Sequence, residues 1–300
     1  MSMPLGKPRT QLRCVARWAA PLLAMALLPS WCQAEPIVWF KLSQPPAVIT
    51  DGPAAGHGYI DERVDAVLHD LPQFQVTITP IPPVRELQTM ESGGAYCTSD
   101  LLKTPQREAF LRFTAPVGYV LPVGLVIRAE DKRLYDRYTD AKHMISLRQL
   151  TRDQRGVLGI GMHRSYGAPA DAVIAQALAQ NPGSLAPVSG DNNTATLFKM
   201  LAARHIDAVL ALPVEQVYFA RQTGSHQRYY SYSLVESPRL LPMLFSCTRH
   251  PATDHLFAAL QVQAKSPALQ NIAQLAYERW LPPYLLPLYR ARLSELQNGN

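Results

Sequence analysis

Long apolar runs are scarce in this chain. The longest, Trp18 to Leu28, is shorter than the about 20 apolar residues a membrane-spanning helix needs, and no later segment reaches that length. Cysteine is rare as well, with four in 300 residues. There is no CxxC, and no Cys/His cluster has zinc-ligand spacing. The eight histidines are scattered and no HExxH occurs, which excludes a zinc-protease helix. Gly/Ser-rich linkers, charge runs and internal repeats are also missing, so a solenoid or a string of tethered modules is excluded. Gly159-Ile160-Gly161 lacks the third glycine of a dinucleotide loop, because Arg164 stands there, and Gly56-His57-Gly58 fails likewise at Asp61. His163-Arg164-Ser165-Tyr166-Gly167 lacks the first glycine of a nucleophile elbow. No cofactor and no metal is expected.

Acid is absent from the N-terminus, which carries Lys7, Arg9, Arg13 and Arg17. The short apolar run follows, and then Trp31-Cys32-Gln33-Ala34 before Glu35-Pro36. A basic start, a short apolar stretch and small residues before the cut describe a secretory signal peptide, residues 1–34, cleaved after Ala34. A retained anchor and a lipoprotein signal at Cys32 are the alternatives, and the bulky Trp31 departs from the latter. Removal leaves 25 basic and 23 acidic residues, a net charge of +2. That balance gives no electrostatic footprint for nucleic acid or a membrane surface. A soluble, periplasmic product is expected.

Two cysteines survive the cut, Cys97 and Cys247. In an oxidising compartment such a pair either joins or remains as two buried thiols.

Along the mature chain, strands alternate with helices. Ile37-Val38-Trp39-Phe40 reads as a buried first strand, closed by Pro45-Pro46. Val64, Val67, Leu68 and Leu71 have helical spacing. Residues 74–81 alternate as a strand does. Val84 to Met90 reads as a helix and Tyr96-Cys97-Thr98 as a brief strand. Thr104 and Pro105 open another helical turn. Strands are expected at 121–128, 156–160, 206–212 and 243–247, and helices at 171–180 and 194–204. A helix begins at Ser266-Pro267 and is expected to bury Leu269, Ile272, Ala276 and Trp280. This order argues for α/β layers, in which ligands lie on the loops at the carboxyl ends of strands.

The order Pro45-Pro46, Gly56-x-Gly58-Tyr59-x-Asp61, Gly94 with Cys97, Lys103-Thr104-Pro105-Gln106-Arg107-Glu108 and Phe113-x-x-Pro116 resembles the extracellular solute-binding proteins of family 3. Arg164-Ser165-Tyr166-Gly167, Ile206-Asp207-Ala208-Val209 and Ser246-Cys247 continue it, so the resemblance covers essentially the whole mature chain. It implies the type 2 periplasmic binding protein fold: α/β, two lobes, two mixed sheets joined by crossing strands. Mapped here, lobe 1 is 35–128 with 237–300 and lobe 2 is 129–236. The crossings would fall at 124–128 and near Tyr232 to Glu236. In relatives the strands carrying Cys97 and Cys247 lie side by side, which implies a disulfide.

The same resemblance points to ligand-binding residues. Arg107 matches the arginine that grips a ligand's carboxylate, a task suited to the planar guanidinium fork. Thr98, Ser99 and Asp100 occupy a ligand loop. Ser165 and Tyr166 match a second-lobe loop that enters a helix, and Arg164 adds a cation. Gln44, Tyr59 and Trp39 are candidates for the cleft wall, and Arg85 for its rim. In amino-acid-binding relatives an acid follows the second-lobe Asp-Ala strand by about five positions and holds the ammonium; here Leu212 stands there, with Glu215 displaced.

The expected function is capture of a small anionic or zwitterionic solute, amino-acid-like or a carboxylate, by lobe closure for an ABC-type uptake system. The expected partners are that solute and an inner-membrane ABC permease or a sensory receptor, with the chain itself a monomer. A non-enzyme is expected. The alternatives on the same fold are a dehydratase-like periplasmic enzyme, with Glu215 or Asp100 as acid, and a ligand-sensing input protein.

Overall fold

The computed structural model describes residues 35–153, 156–162, 164–190, 193–222 and 228–298. The expected signal peptide and its cleavage point lie outside the described residues, as does His163. Residues 35–300 form one compact unit.

The first strands are β1 (Ile37–Lys41), β2 (Val76–Pro80), β3 (Tyr96–Thr98), β4 (Leu111–Phe113), β5 (Gly118–Val120) and β6 (Gly124–Arg128). They are followed by β7 (Met144–Ile145), β8 (Leu158–Gly161), β9 (Leu185–Val188), β10 (Ala208–Ala211), β11 (Tyr229–Leu234), β12 (Leu241–Met243) and β13 (Ser246–Thr248). The helices begin with α1 (Tyr59–His69), α2 (Pro83–Glu91), α3 (Pro105–Glu108), α4 (Lys132–Asp136), α5 (Leu147–Asp153) and α6 (Ala168–Gln180). The rest are α7 (Asn193–Ala202), α8 (Pro213–Gln222), α9 (Asp254–Gln263), α10 (Pro267–Glu278) and α11 (Leu286–Asn298). None of the helices described is long and apolar enough to cross a membrane.

Two mixed sheets organise these elements. The smaller runs β2-β1-β3-β13-β4 and the larger β7-β11-β6-β10-β8-β9. β1 is parallel to β2 and β3, and β13 enters antiparallel between β3 and β4. In the larger sheet β8, β9 and β10 are parallel, while β6 runs antiparallel to both β10 and β11. Every residue of β6, β8 and β10 is buried, as befits strands covered on both faces.

The reason for each element is local. Thr104 caps α3 by accepting a hydrogen bond from the Arg107 amide (3.3 Å), with Pro105 at the first helical position. Asp61 Oδ2 accepts from the Gly58 and Ile49 amides (3.0 and 2.9 Å), and Lys41 Nζ lies 2.6 Å from Oδ1, so one buried carboxylate ties the start of α1 to the loop before it and to the end of β1. Cys97 and Cys247 face each other in the β3–β13 register and are joined as a disulfide.

The structure corrects some details of the sequence reading. The 121–128 strand begins at Gly124 and pairs within the larger sheet. β11 also pairs inside that sheet. The single strand expected at 243–247 is two, β12 on a ribbon with β5 and β13 in the smaller sheet. Ile272 is exposed: α10 turns Leu269, Ala273, Ala276 and Tyr277 inward, one step away on the helical wheel. Ile78 is exposed because β2 is the edge strand of its sheet.

Candidate functional site

A cavity of about 380 Å³ opens between the two sheets. On the side of the smaller sheet its wall is the loop after β1 (Leu42 to Pro45), the first turn of α1, the loop after β3 (Ser99 to Leu102), α2 and α3. The opposite wall is the loop after β8 with Met162, Arg164 and Ser165, Gly190 after β9, the start of α7, and Leu212 after β10. These loops leave the carboxyl ends of parallel strands, where α/β sheets collect their ligand sites. Val120, Val123 and Leu241 to Leu244, from the connecting segments, make the floor.

The wall beside the smaller sheet carries the charge. Arg63, the fifth residue of α1, is fully buried at 0% exposure. Its Nη2 donates to the Ser99 carbonyl at 2.7 Å, and the Phe245 ring lies 5.4 Å beneath the guanidinium. Its Nε and Nη1 have no hydrogen-bond partner among the described residues. Burial pushes the guanidinium down to about 10, with Tyr59 and Asp100 opposing the shift. Arg107, half-buried, donates from Nη1 to the Leu102 carbonyl at 2.7 Å. Burial pulls it below the usual arginine value, against the field of Glu86 and Asp100.

Glu86, on α2, is buried beside Asp100. Thr98 Oγ1 donates to Asp100 Oδ1 at 2.7 Å, and Glu86 Oε1 has no partner among the described residues. Burial first, and then the neighbouring carboxyl, push Glu86 up to about 8. Asp100 is raised too, by burial. Two carboxyls this close do not both ionise readily, so the pair resists taking two negative charges.

The opposite wall is neutralised internally. Arg164 grips Glu215 with both arms, Nη1 on Oε1 at 3.0 Å and Nη2 on Oε2 at 3.2 Å, and Nη1 also reaches Thr194 Oγ1 at 3.2 Å. Glu215 Oε2 accepts from the Leu212 amide at 2.6 Å. Among the described residues no group of three His, Cys, Asp or Glu is placed to hold a metal ion.

Of the residues singled out from the sequence, Gln44, Tyr59, Ser99, Asp100, Arg107, Arg164 and Ser165 line the cavity. Thr98 lies behind it, fully buried, and orients Asp100. Tyr166 is in the core of the larger sheet, where its hydroxyl accepts from the Gly161 amide at 2.6 Å. Trp39 packs edge-on to Phe245 in the core, and Arg85 is exposed. Ser165 donates to Asp171 Oδ2 at 2.6 Å. Sequence reasoning missed Arg63 and Glu86. Their signal was a charge inside an apolar stripe: Arg63 falls between Ile60, Val64 and Val67 on the buried face of α1, and Glu86 stands four before the buried Met90.

No family model and no curated protein matches the chain. Solved structures do. A histidine kinase sensor domain described as similar to periplasmic binding proteins has 14% identity and a TM-score of 0.57, with 83% of this chain and 98% of that one covered. An amino acid ABC transporter substrate-binding protein from Streptococcus pneumoniae, bound to L-arginine, has 15% identity and a TM-score of 0.57, covering 82% of this chain and 93% of that one. An ancestral amino-acid-binding protein, a precursor of cyclohexadienyl dehydratase, has 14% identity and a TM-score of 0.55, with 83% and 96% covered. At these identities the likeness carries the fold, and the chain has the α/β fold of the periplasmic binding proteins.

Proposed function

We propose that this chain is an exported solute-binding protein that captures a small anionic or zwitterionic solute, amino-acid-like or a carboxylate, in the cleft between its two sheets. The observation that carries the reading is the pair of arginines on one wall of that cleft, Arg107 and the unsatisfied Arg63. A buried guanidinium with open donors is costly until an acceptor arrives. The solute bridges a lobe built on the smaller sheet and one built on the larger. Because it touches both, it favours the closed arrangement by its differential affinity. The signal peptide places the protein in the periplasm, where the closed form meets an ABC permease or a sensory receptor.

The test is a thermal-shift screen of the 35–300 protein against amino acids, dicarboxylates, aromatic acids and small peptides. A ligand at about 100 times its Kd adds about 2.7 kcal/mol of stability. A hit that disappears in Arg107→Ala and is recovered chemically unchanged supports capture.

One observation favours a second reading. The Glu86–Asp100 pair keeps a proton inside the cleft, as a general acid must. Consumption of the hit, lost in Glu86→Gln, would mark a dehydratase-like enzyme instead.

A further inference from the structure

We propose that the solute is a monocarboxylate with an apolar body, and that its carboxylate is anchored on the incompletely satisfied guanidinium of Arg63. This rests on the solute-binding reading above and names its ligand class.

The first argument is satisfaction. Arg63 has no acceptor among the described residues for Nε or for Nη1. A free guanidinium N–H donates a charge-assisted hydrogen bond to a carboxylate oxygen. Nη2 is held by the Ser99 carbonyl, so the guanidinium is already oriented before a ligand arrives.

The second is charge. Three arginines line the cleft, Arg63, Arg107 and Arg164. Glu215 cancels Arg164 through the two-armed ion pair. The carboxyl pair Glu86 and Asp100 faces the other two, and both carboxyls are raised by burial, so the pair does not cancel both arginines. Positive charge is left over, which suits an anion.

The third is the absence of a free seat for an ammonium group. Glu215 is committed to Arg164 and the Leu212 amide, and Asp61 to Lys41 and the amides of Ile49 and Gly58. Among the described residues only the Glu86–Asp100 pair remains, and its charge already faces Arg63 and Arg107. The lining also has a large apolar share, including Leu87, Leu101, Val123, Leu212, Met243 and Leu244, beside the uncharged polar Ser43, Gln44, Ser165, Asn193 and Thr194.

The experiment is calorimetric titration of the 35–300 protein at pH 7 with benzoate, 3-phenylpropanoate and 4-methylpentanoate, beside phenylalanine, leucine and succinate. The expected result is binding of at least one monocarboxylate and weaker binding of the amino acid with the same side chain. Arg63→Met should weaken that binding at least about tenfold, the loss of a charge-assisted hydrogen bond, and Arg63→Lys less than Arg63→Met. The ligand-free Arg63→Met protein should melt no lower than the parent, because an unpaired buried charge has been removed. If Arg63→Met fails to fold, Arg63→Lys carries the test. Tight binding of an amino acid or succinate with no monocarboxylate response overturns this inference and leaves the solute-binding reading standing. Monocarboxylate binding that survives both Arg63 variants and is lost in Arg107→Met overturns the anchor. If none of the six binds, this inference falls, and the wider thermal-shift screen decides the solute-binding reading separately.

Discussion

Arg164 and Glu215, 51 residues apart, meet fork to fork across the carboxyl ends of β8 and β10, at 3.0 and 3.2 Å. The Glu215 side chain is 1% exposed and that of Arg164 15%. Removing one partner of such a buried pair strands the other. Glu215→Ala is therefore expected to cost about 3–5 kcal/mol, read as a lower urea midpoint. Arg164→Met with Glu215→Leu, which removes both charges, should recover most of that loss. The same rupture frees a second cation in the cleft, so a folded Glu215→Gln protein should gain affinity for succinate.

The disulfide ties β3 to β13 across 150 residues of sequence. In the chain-entropy model a loop of this length contributes about 5 kcal/mol. The double variant Cys97→Ala/Cys247→Ala should unfold at clearly lower urea, with a loss of up to that size. Adding a reductant to the parent during unfolding should reproduce the shift and leave the variant unchanged.

Tyr284 lies between α10 and α11. Its hydroxyl accepts from the Ser231 amide at 2.7 Å and from Gln216 Nε2 at 3.3 Å, and its ring stacks on Tyr230 at 4.8 Å. It thus fastens the C-terminal segment to β11 of the larger sheet. Tyr284→Phe keeps the stacking and removes the acceptor, leaving the Ser231 amide unpaired. The expected cost is about 1–3 kcal/mol, with faster hydrogen exchange at the Ser231 amide as the local readout.

The frame of this molecule was legible because periodicity reports burial. The apolar runs at 37–40 and 206–212 became fully flanked strands, and Thr104-Pro105 opened a helix as its cap chemistry required. What periodicity cannot report is what a buried face looks onto. The inner face of α1 is part core and part cleft, and Arg63 lies at the change from one to the other. Tertiary pairing was equally invisible. Arg164 read as an available cation, and only the fold brings Glu215 against it. Ile272 fits an apolar stripe, but α10 uses the neighbouring one to pack against α1.

Glu86 gives stability a pH dependence of known sign. Its carboxyl rises from 4.5 to about 8 on folding, through burial and then Asp100. Between those values the folded chain holds a proton that the unfolded chain has released, so stability falls as pH rises through this window. Asp100, also raised, acts in the same sense. The melting temperature should therefore decline from pH 5 to about pH 8 and this contribution should then level off. Glu86→Gln, neutral throughout, should flatten the decline and melt above the parent at pH 8.5.

The same proton should govern binding. The groups facing the carboxyl pair are Thr98 on β3, Arg107 on α3, and Arg63 with Tyr59 on α1. The phenol of Tyr59 is raised by burial above the usual tyrosine range and so stays neutral, and the two arginines stay charged across the window. The variable charge is the pair itself. A monocarboxylate, ionised throughout because its own pKa is near that of acetic acid, finds the cleft one unit more positive while Glu86 holds its proton than once it is lost. Affinity should be level below pH 7 and weaken by up to about tenfold per unit above pH 8. Above that point binding draws a proton back onto the pair. Calorimetric titrations at pH 8.5 in two buffers of different ionisation enthalpy should therefore give different apparent heats, the difference corresponding to uptake of up to one proton. In Glu86→Gln the two buffers should agree, because the remaining carboxylate of Asp100 has no partner with which to share a proton. Proton release on binding in the parent would instead mean that the ligand brings a positive charge to the pair, and would replace the monocarboxylate with an amine-bearing solute.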